Sequence, residues 1–149
     1  MVEGPSPVRV LLDTNVVLDL LLPRQPWLGQ AQPMWDARDA GTIIACLPIS
    51  ALTNIYYIGR RQIGQLQTMV GIRFCIANFE LASLEREDAE FAMTLPGADF
   101  EDNLQIACAV RAGVQFIVTR DPSGFVGTPA PLRVVDPPTL MGSFSPPVP

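Results

Sequence analysis

The chain has no histidine and no lysine, and all ten of its basic residues are arginine. Without these residues the protein cannot use a Ser-His-Asp triad, a lysine Schiff base, an imidazole general base or a Walker phosphate lysine. Any catalysis must therefore rest on carboxylates, hydroxyls, cysteine, arginine or a metal ion. The fifteen acidic residues give a net charge of −5, which argues against broad, nonspecific binding of nucleic acids.

The sequence also lacks long apolar runs and a large set of cysteines. No uninterrupted stretch of about eighteen apolar residues is present, so we expect no membrane span. The first five residues lack the basic and apolar regions of a signal peptide. Cys46, Cys75 and Cys108 are widely spaced among apolar neighbours, which is typical of reduced core thiols rather than of bridges or zinc ligands. We therefore expect a cytoplasmic protein.

Apolar segments of strand length alternate with helical patterns along most of the chain. This alternation predicts an α/β fold, a three-layer α/β/α sandwich with a central, mostly parallel sheet of about four to five strands. One domain is predicted over residues 1–136, and residues 137–149, with five prolines, are predicted to be a disordered tail. The predicted strands are residues 8–13, 42–47, 74–78, 115–119 and 132–135. The predicted helices are residues 15–22, 31–40, 50–60, 63–70, 84–94 and 101–113.

Three aspartates occupy related positions in this pattern. Asp13 and Asp121 each end a predicted strand, and Asp102 lies in the first turn of the helix before the second of those strands. Because ligands bind beyond the carboxyl ends of parallel strands, the three carboxylates can converge at one edge of the sheet. Carboxylates so close repel one another unless their pKa values rise or a cation binds. With oxygen ligands and no histidine, that cation would be Mg²⁺ or Mn²⁺.

Each aspartate also has a structural interpretation. Asp13 could cap the next helix, Asp102 could favour a helix N-terminus, and Asp121 before Pro122 could form a turn. Taken together in an α/β context, the three residues favour the metal interpretation. Asp19, six residues after Asp13, is predicted to be a solvated or helix-packing acid outside the site.

Three segments resemble the PIN domain family, especially the VapC-like toxins. They are residues 12–15 (LDTN), 99–107 (DFEDNLQIA) and 118–121 (VTRD), and the resemblance extends over about residues 10–135. It implies a PIN-like fold and a Mg²⁺- or Mn²⁺-dependent endoribonuclease that hydrolyses RNA, the toxin component of a type II toxin–antitoxin system. It also implies an RNA substrate, a small antitoxin partner and a homodimer.

The resemblance assigns roles to individual residues of the chain. Asp13, Asp102 and Asp121 match the catalytic, metal-binding acids of the family. Thr119 matches a hydroxyl that lines the site, and Asn15 matches the polar residue two places after the first acid. The competing ribonuclease route, attack by the ribose 2′ hydroxyl, ordinarily needs histidine or lysine, so we expect hydrolysis that leaves a 5′ phosphate.

One position departs from the family pattern. Asn54 stands where the family usually has a glutamate, which removes one negative charge. The sequence therefore does not decide between one bound metal ion and two. Asp99 or Glu101 could compensate, although neighbouring residues lie on different faces of a helix, so Glu101 and Asp102 are not both expected to point inward. Ser50 is predicted to cap a helix and to line the site, where its hydroxyl could position phosphate or water.

Other classes of protein share parts of this pattern. A haloacid-dehalogenase-type phosphatase would have a second aspartate at the position of Asn15 and generally a lysine, and a receiver domain also needs a lysine. Both are disfavoured. A catalytically inactive PIN-like module that binds RNA or protein remains the alternative, because Asn54 replaces an acid of the site.

Overall fold

A parallel β-sheet forms the centre of the computed structural model, which describes residues 4–144. Its five strands stand in the order β3-β2-β1-β4-β5, and every neighbouring pair is parallel. The predicted α/β sandwich is therefore confirmed, with the first strand at the centre of the sheet. The strands are β1 (Val8–Leu12), β2 (Ile43–Pro48), β3 (Glu80–Ala82), β4 (Phe116–Val118) and β5 (Arg133–Val135).

Helices cover both faces of the sheet. Within residues 4–144 they are α1 (Thr14–Leu21), α2 (Trp27–Asp39), α3 (Ala51–Asn78), α4 (Arg86–Thr94), α5 (Phe100–Ala112) and α6 (Pro137–Phe144). One core unites α1, α2, α3 and α6 with one face of the sheet. Helix α5 packs on the other face, with α4 beside it. None of the helices in the described part of the chain combines the length and apolar character needed to cross a bilayer.

Strand β1 is apolar on both sides, because helices cover both faces of the sheet. Val10 and Leu12 belong to the core beneath α1 and α2, and Leu11 belongs to the core beneath α5. A slip of one residue would exchange these two sets between the faces, so the register of β1 is strongly specified. Asp13, the next residue, is thereby fixed at the carboxyl edge of the sheet.

Helix α3 occupies a stretch for which the sequence predicts two helices and a strand. The strand prediction for residues 74–78 is wrong, because these residues are the last turns of α3 and the third strand begins at Glu80. Thr68, Ile72 and Cys75 face inward at intervals of three and four residues, which is a helical period. The short apolar run around Cys75 fits either period, and only the longer window separates them.

A sharp bend at Gly64 divides α3 into two halves. The backbone of Gly64 has φ +83°, which favours glycine, and its carbonyl oxygen accepts a hydrogen bond from Thr68 Oγ1 at 2.7 Å. A Cβ atom on Gly59 would lie 2.8 Å from Thr68 Cγ2. Nine residues of straight helix span about 13 Å, so this contact requires the chain to turn back on itself.

Helix α6 begins the segment for which the sequence predicts disorder. That prediction fails for residues 137–144, and residues 145–149 lie outside the described part of the chain. Asp136 Oδ1 accepts a hydrogen bond from the Thr139 N–H at 2.8 Å, and Pro137 occupies the first helical position. Leu140 is fully buried in the core that contains α2. The domain therefore continues past residue 136, because one buried leucine outweighs the proline-rich composition.

Candidate functional site

The backbone of Asp13 forms the start of α1, but its side chain does not cap that helix. Its N–H donates to the Val118 carbonyl at 2.9 Å, and its own carbonyl accepts from the Val16 N–H at 3.0 Å. The carboxylate makes no capping bond. Instead, Oδ1 accepts from Gln105 Nε2 at 3.1 Å and Oδ2 accepts from Thr119 Oγ1 at 2.8 Å. The helix-cap interpretation therefore holds for the backbone of Asp13 and not for its carboxylate.

A polar cleft of about 240 Å³ opens beside Asp13, between the starts of α1 and α5 and the first half of α3. Four carboxylates line it, and no basic side chain is among its lining residues. The cleft brings together six of the residues that the sequence singles out, from three separate helices and the end of β1. Its lining residues are Asp13, Thr14, Asn15, Asn54, Ile58, Asp99, Glu101 and Asp102.

Asp102 has the most perturbed carboxyl group of the cleft. Burial, together with the negative charges of Asp99, Asp13, Glu101 and Asp121, raises its pKa from 3.8 to about 6. Each of these four acids is therefore close enough to disfavour the ionised form of Asp102. The predicted convergence of acidic side chains is present as an electrostatic cluster around this carboxyl group.

Asp121 lies on the turn after β4, at the side of Asp102. Its N–H donates to Thr119 Oγ1 at 3.2 Å, so the Thr119 hydroxyl connects Asp121 to the Asp13 carboxylate. Ser123 Oγ donates to Asp121 Oδ1 within the short 3₁₀ turn that follows. A Cβ atom on Gly124 would lie 3.2 Å from Asp102 Oδ2, so this turn contacts the cleft. Asp121 itself is exposed and does not line the cleft.

Glu101 lines the cleft together with its neighbour Asp102, contrary to the expectation that only one of them points inward. Its longer side chain reaches across to α3, where Asn54 Nδ2 donates to Glu101 Oε1 at 2.8 Å. Burial and the charges of Asp99 and Asp13 raise the pKa of Glu101, and the hydrogen bond from Asn54 opposes that rise. Both residues reach the cleft because the longer Glu101 side chain extends across to α3.

Of two other predicted residues, Asp99 lines the cleft and Ser50 does not. Asp99 is the N-cap of α5, where its Oδ1 accepts from the N–H groups of Glu101 at 2.9 Å and Asp102 at 3.3 Å, and it also lines the cleft. Ser50 makes no capping hydrogen bond. It is exposed and lines a small neighbouring depression together with Asn54 and Glu101.

The sequence did not identify Gln105, and of the two alternatives it left for Asp19, solvated or helix-packing, the solvated one is wrong. Gln105 is 5% exposed and lies three residues after Asp102 on α5, a spacing that places both on one side of the helix. That spacing is the signal that could have identified it. Asp19 is 2% exposed, so it is not solvated, and its carboxylate lies 2.9 Å from Arg24 Nε and 3.0 Å from Arg120 Nε.

The donor atoms of the cleft are of the kind that Mg²⁺ and Mn²⁺ prefer, because they are carboxylate and amide oxygens. Within residues 4–144, no three acidic, cysteine or histidine side chains form a ready-made metal cage. The acids around Asp102 thus form a charge cluster rather than a closed coordination shell. The hydrogen bonds to Asp13 occupy one lone pair on each oxygen and leave others for a ligand.

The sequence matches a family model described as PIN domain over residues 9–123. The chain belongs to the PIN domain family. The matched region runs from β1 to the turn after β4 and so contains the whole cleft. No curated protein matches the sequence.

Solved structures of other PIN proteins share the fold. VapBC2 from Rickettsia felis, bound to a DNA fragment from its promoter, is 11% identical, with a TM-score of 0.66 over 85% of this chain and 97% of its own. A toxin–antitoxin complex from Klebsiella pneumoniae is 21% identical, with a TM-score of 0.62 over 86% and 97%. VapC20 from Mycobacterium tuberculosis, a sarcin-ricin loop cleaving toxin, is 13% identical, with a TM-score of 0.60 over 72% and 86%. The PIN resemblance seen in the sequence is confirmed, and the fold is that of VapC toxins.

Proposed function

We propose that the protein is a Mg²⁺- or Mn²⁺-dependent endoribonuclease and the toxin of a type II toxin–antitoxin pair. The observation that carries this proposal is the cleft with four carboxylates and no basic side chain at the carboxyl end of β1. Such a cleft repels a phosphodiester unless a cation lies between them. A PIN domain with this charge arrangement is therefore suited to RNA chemistry that depends on a divalent cation.

We assign the cation to Asp13, Asp102 and Asp121. When bound, it supplies Lewis-acid activation of water and neutralises charge on the phosphoryl oxygens. Gln105 and Thr119 each donate a hydrogen bond to Asp13 and so orient its carboxylate. Hydrogen-bonded carboxylates of this kind hold their direction when a cation or substrate approaches.

We infer that Glu101 supplies a fourth acid to the candidate site, beside Asp13, Asp102 and Asp121. Asn54 carries no charge, yet its amide holds the Glu101 carboxylate at 2.8 Å beside α3. The negative charge that Asn54 lacks is therefore provided from α5 by its partner. Asn15 and Asp99 complete the polar lining, and the exposed Asn15 side chain is available to substrate.

The experiment that tests the proposal is cleavage of single-stranded and structured RNA by the purified protein with Mg²⁺ or Mn²⁺. We expect products that carry a 5′ phosphate, and we expect cleavage to stop when a chelator is added. Absence of cleavage together with absence of Mn²⁺ binding in calorimetry would favour the alternative, an inactive module that binds RNA or protein. In that case the acidic cleft would suit a basic segment of a partner protein.

The face of α3 supports a protein partner. A groove of about 350 Å³ between α1 and α3 is mostly apolar, and α3 has three arginines and no acid, although the whole chain is acidic. We propose that a small antitoxin covers this face with an apolar segment that carries acidic residues. The exposed apolar side chains of α3 are Tyr57, Ile63, Leu66, Met69, Val70, Phe74 and Ile76.

A second copy of the chain is the rival occupant of this face, since a homodimer is also proposed from the resemblance. Leu66 is 85% exposed, so Leu66→Glu changes the surface without disturbing the core. We expect this variant to lose the co-purifying product of a short neighbouring gene and to keep the wild-type mass in light scattering. Conversion of a dimer to a monomer would assign the face to the homodimer instead.

We propose a cytoplasmic location on the basis of the cysteines. Cys46, Cys75 and Cys108 are buried and form no disulfide. Burial raises the pKa of Cys46 and Cys75 to about 11 and that of Cys108 to about 12, so these thiols stay protonated and unreactive. Free thiols of this kind are typical of proteins in a reducing compartment.

A further inference from the structure

A buried ionic cluster lies next to the cleft and is not needed to line it. Asp19 on α1 is 2% exposed, and its carboxylate oxygens lie 2.9 Å from Arg24 Nε and 3.0 Å from Arg120 Nε. The Arg120 guanidinium also lies over the ring of Trp27, 4.0 Å from its centre. One carboxylate and one aromatic ring thus fix the position of Arg120.

Arg120 stands between two residues of the candidate site. Thr119 donates to the Asp13 carboxylate, and Asp121 contributes charge to the acidic cluster around Asp102. The Thr119–Asp121 segment is therefore attached to the first helical region at two points, through Thr119 to Asp13 and through Arg120 to Asp19. The second attachment uses no residue that lines the cleft.

The attachment through Asp19 is mainly coulombic. The Nε atoms of Arg24 and Arg120 lie at ion-pair distance from the carboxylate oxygens, and the charges of both arginines favour its ionised form. Because the group is buried, solvent screens these charges little. Loss of the Asp19 charge would leave two arginines, each about three-quarters buried, without their shared counter-ion.

We propose that Asp19 is a positioning residue that acts through Arg120 to hold the Thr119–Asp121 turn against Asp13. This inference rests on the proposed function, because the turn contributes Asp121 to the candidate metal site. The chemistry is that of a carboxylate outside the reacting centre that fixes the direction of a ligand-bearing segment. Outer-shell changes of this kind cost about tenfold to a hundredfold in metal affinity.

The test compares Asp19→Asn and Arg120→Gln with matched changes in a remote ion pair. Asp88 is also buried and accepts from Arg111 Nε at 2.6 Å, and neither residue lines the cleft. The controls are therefore Asp88→Asn and Arg111→Gln. Two quantities are measured on folded protein: hydrogen exchange of the Asp121 amide without metal, and Mn²⁺ affinity by calorimetry.

We expect Asp19→Asn and Arg120→Gln to speed exchange at Asp121 by about tenfold and to weaken Mn²⁺ binding by about tenfold or more. The controls should leave both quantities near wild type. If Asp19→Asn does not fold, Arg120→Gln decides the matter, because it keeps the ion pair between Asp19 and Arg24. Equal behaviour of test and control variants would overturn the positioning role. If the wild type binds no Mn²⁺ and cleaves no RNA, the proposed function fails, while exchange at Asp121 still decides the positioning role.

Discussion

Two acidic clusters lie at the N-termini of consecutive helices and differ in their counter-charges. At the start of α4, three carboxylates surround one arginine: Arg111 Nη2 lies 3.7 Å from Glu85 and 3.9 Å from Glu87, and Arg111 Nε lies 2.6 Å from Asp88. Asp88 and Glu85 also form a capping box at this helix start. The α4 cluster therefore has a counter-charge in Arg111 and stabilises the start of the helix.

At the start of α5, a similar number of carboxylates has no such partner. Asp99, Glu101 and Asp102 face the cleft together with Asp13, and no arginine lines it. Both clusters gain from the positive end of a helix dipole, so acids in a first turn do not by themselves distinguish a site from a cap. The missing counter-charge, rather than the number of acids, therefore identifies the candidate site.

The largest expected effect is on RNA cleavage, which should depend on the acids of the candidate site and not on the α4 cluster. Asp13→Asn, Asp102→Asn and Asp121→Asn should each lower RNA cleavage by about a thousandfold, or ~4 kcal/mol of transition-state stabilisation, because each removes a proposed cation ligand. Asp88→Asn makes the same chemical change in the α4 cluster and should leave cleavage within a few-fold of wild type. Single-turnover rates on one RNA measure this. Activity that survives both Asp13→Asn and Asp121→Asn would place the site elsewhere.

The next effect concerns the acid that Asn54 holds. Glu101→Gln should lower cleavage about thirtyfold, equivalent to ~2 kcal/mol, and Asn54→Ala should lower it less, because Glu101 then keeps its charge but loses its orientation. Glu87→Gln in the α4 cluster is the matched control. Should Glu101→Gln match Glu87→Gln in the cleavage assay, Glu101 would have no part in the site.

Stability, in contrast to activity, should depend on the α4 cluster. Asp88 Oδ2 accepts from Arg111 Nε at 2.6 Å and from the Glu85 N–H at 2.8 Å. Asp88→Asn should lower the free energy of unfolding by ~2 kcal/mol, less than for a fully buried pair because Arg111 is one-third exposed. Urea denaturation of the metal-free protein measures this. An Asp102→Asn protein that loses as much stability as Asp88→Asn would contradict the assignment of Asp102 to function.

The smallest effect is a pH dependence of stability. Burial and neighbouring acids raise the pKa of Asp102 from 3.8 to about 6, so the folded state favours its protonated form. The contribution of Asp102 to the stability of the folded state is fully present below pH 3.8 and is lost as the pH rises through about 6. Its size is on the order of 1 kcal/mol once solvent screening is considered. Asp102→Asn should flatten the stability profile of the metal-free protein between pH 4 and 7, and an unchanged profile would remove Asp102 from the repulsive cluster.

Much of the fold follows from short-range patterns. The apolar run that stops at Asp13 predicts β1 and its position, because helices on both faces make a central parallel strand apolar throughout. Gly113 predicts the end of α5, where it adopts the left-handed conformation. The strand predicted for residues 74–78 is wrong, because a short apolar run fits both a strand and a helix. The disorder predicted from residue 137 onward is wrong for α6, where buried Leu140 outweighs the proline-rich composition.

The candidate site was predictable in its acids and less so in their partners. Strand ends and a helix start bring Asp13 and Asp102 together, since both positions follow from the order of elements. The contact between Asn54 and Glu101 joins residues 47 positions apart and depends on the distance between α3 and α5, which local patterns do not give. Burial of Asp19 likewise depends on a contact between distant residues, because its partner Arg120 follows the end of β4.

The central claim is that the unneutralised carboxylates of the α5 cluster hold a divalent cation. Calorimetric titration of Mn²⁺ into the wild type, Asp13→Asn and Asp88→Asn tests it most directly. We expect the wild type and Asp88→Asn to bind with the same affinity and Asp13→Asn to bind at least about tenfold more weakly. No binding by the wild type, or equal binding by Asp13→Asn, would contradict the account.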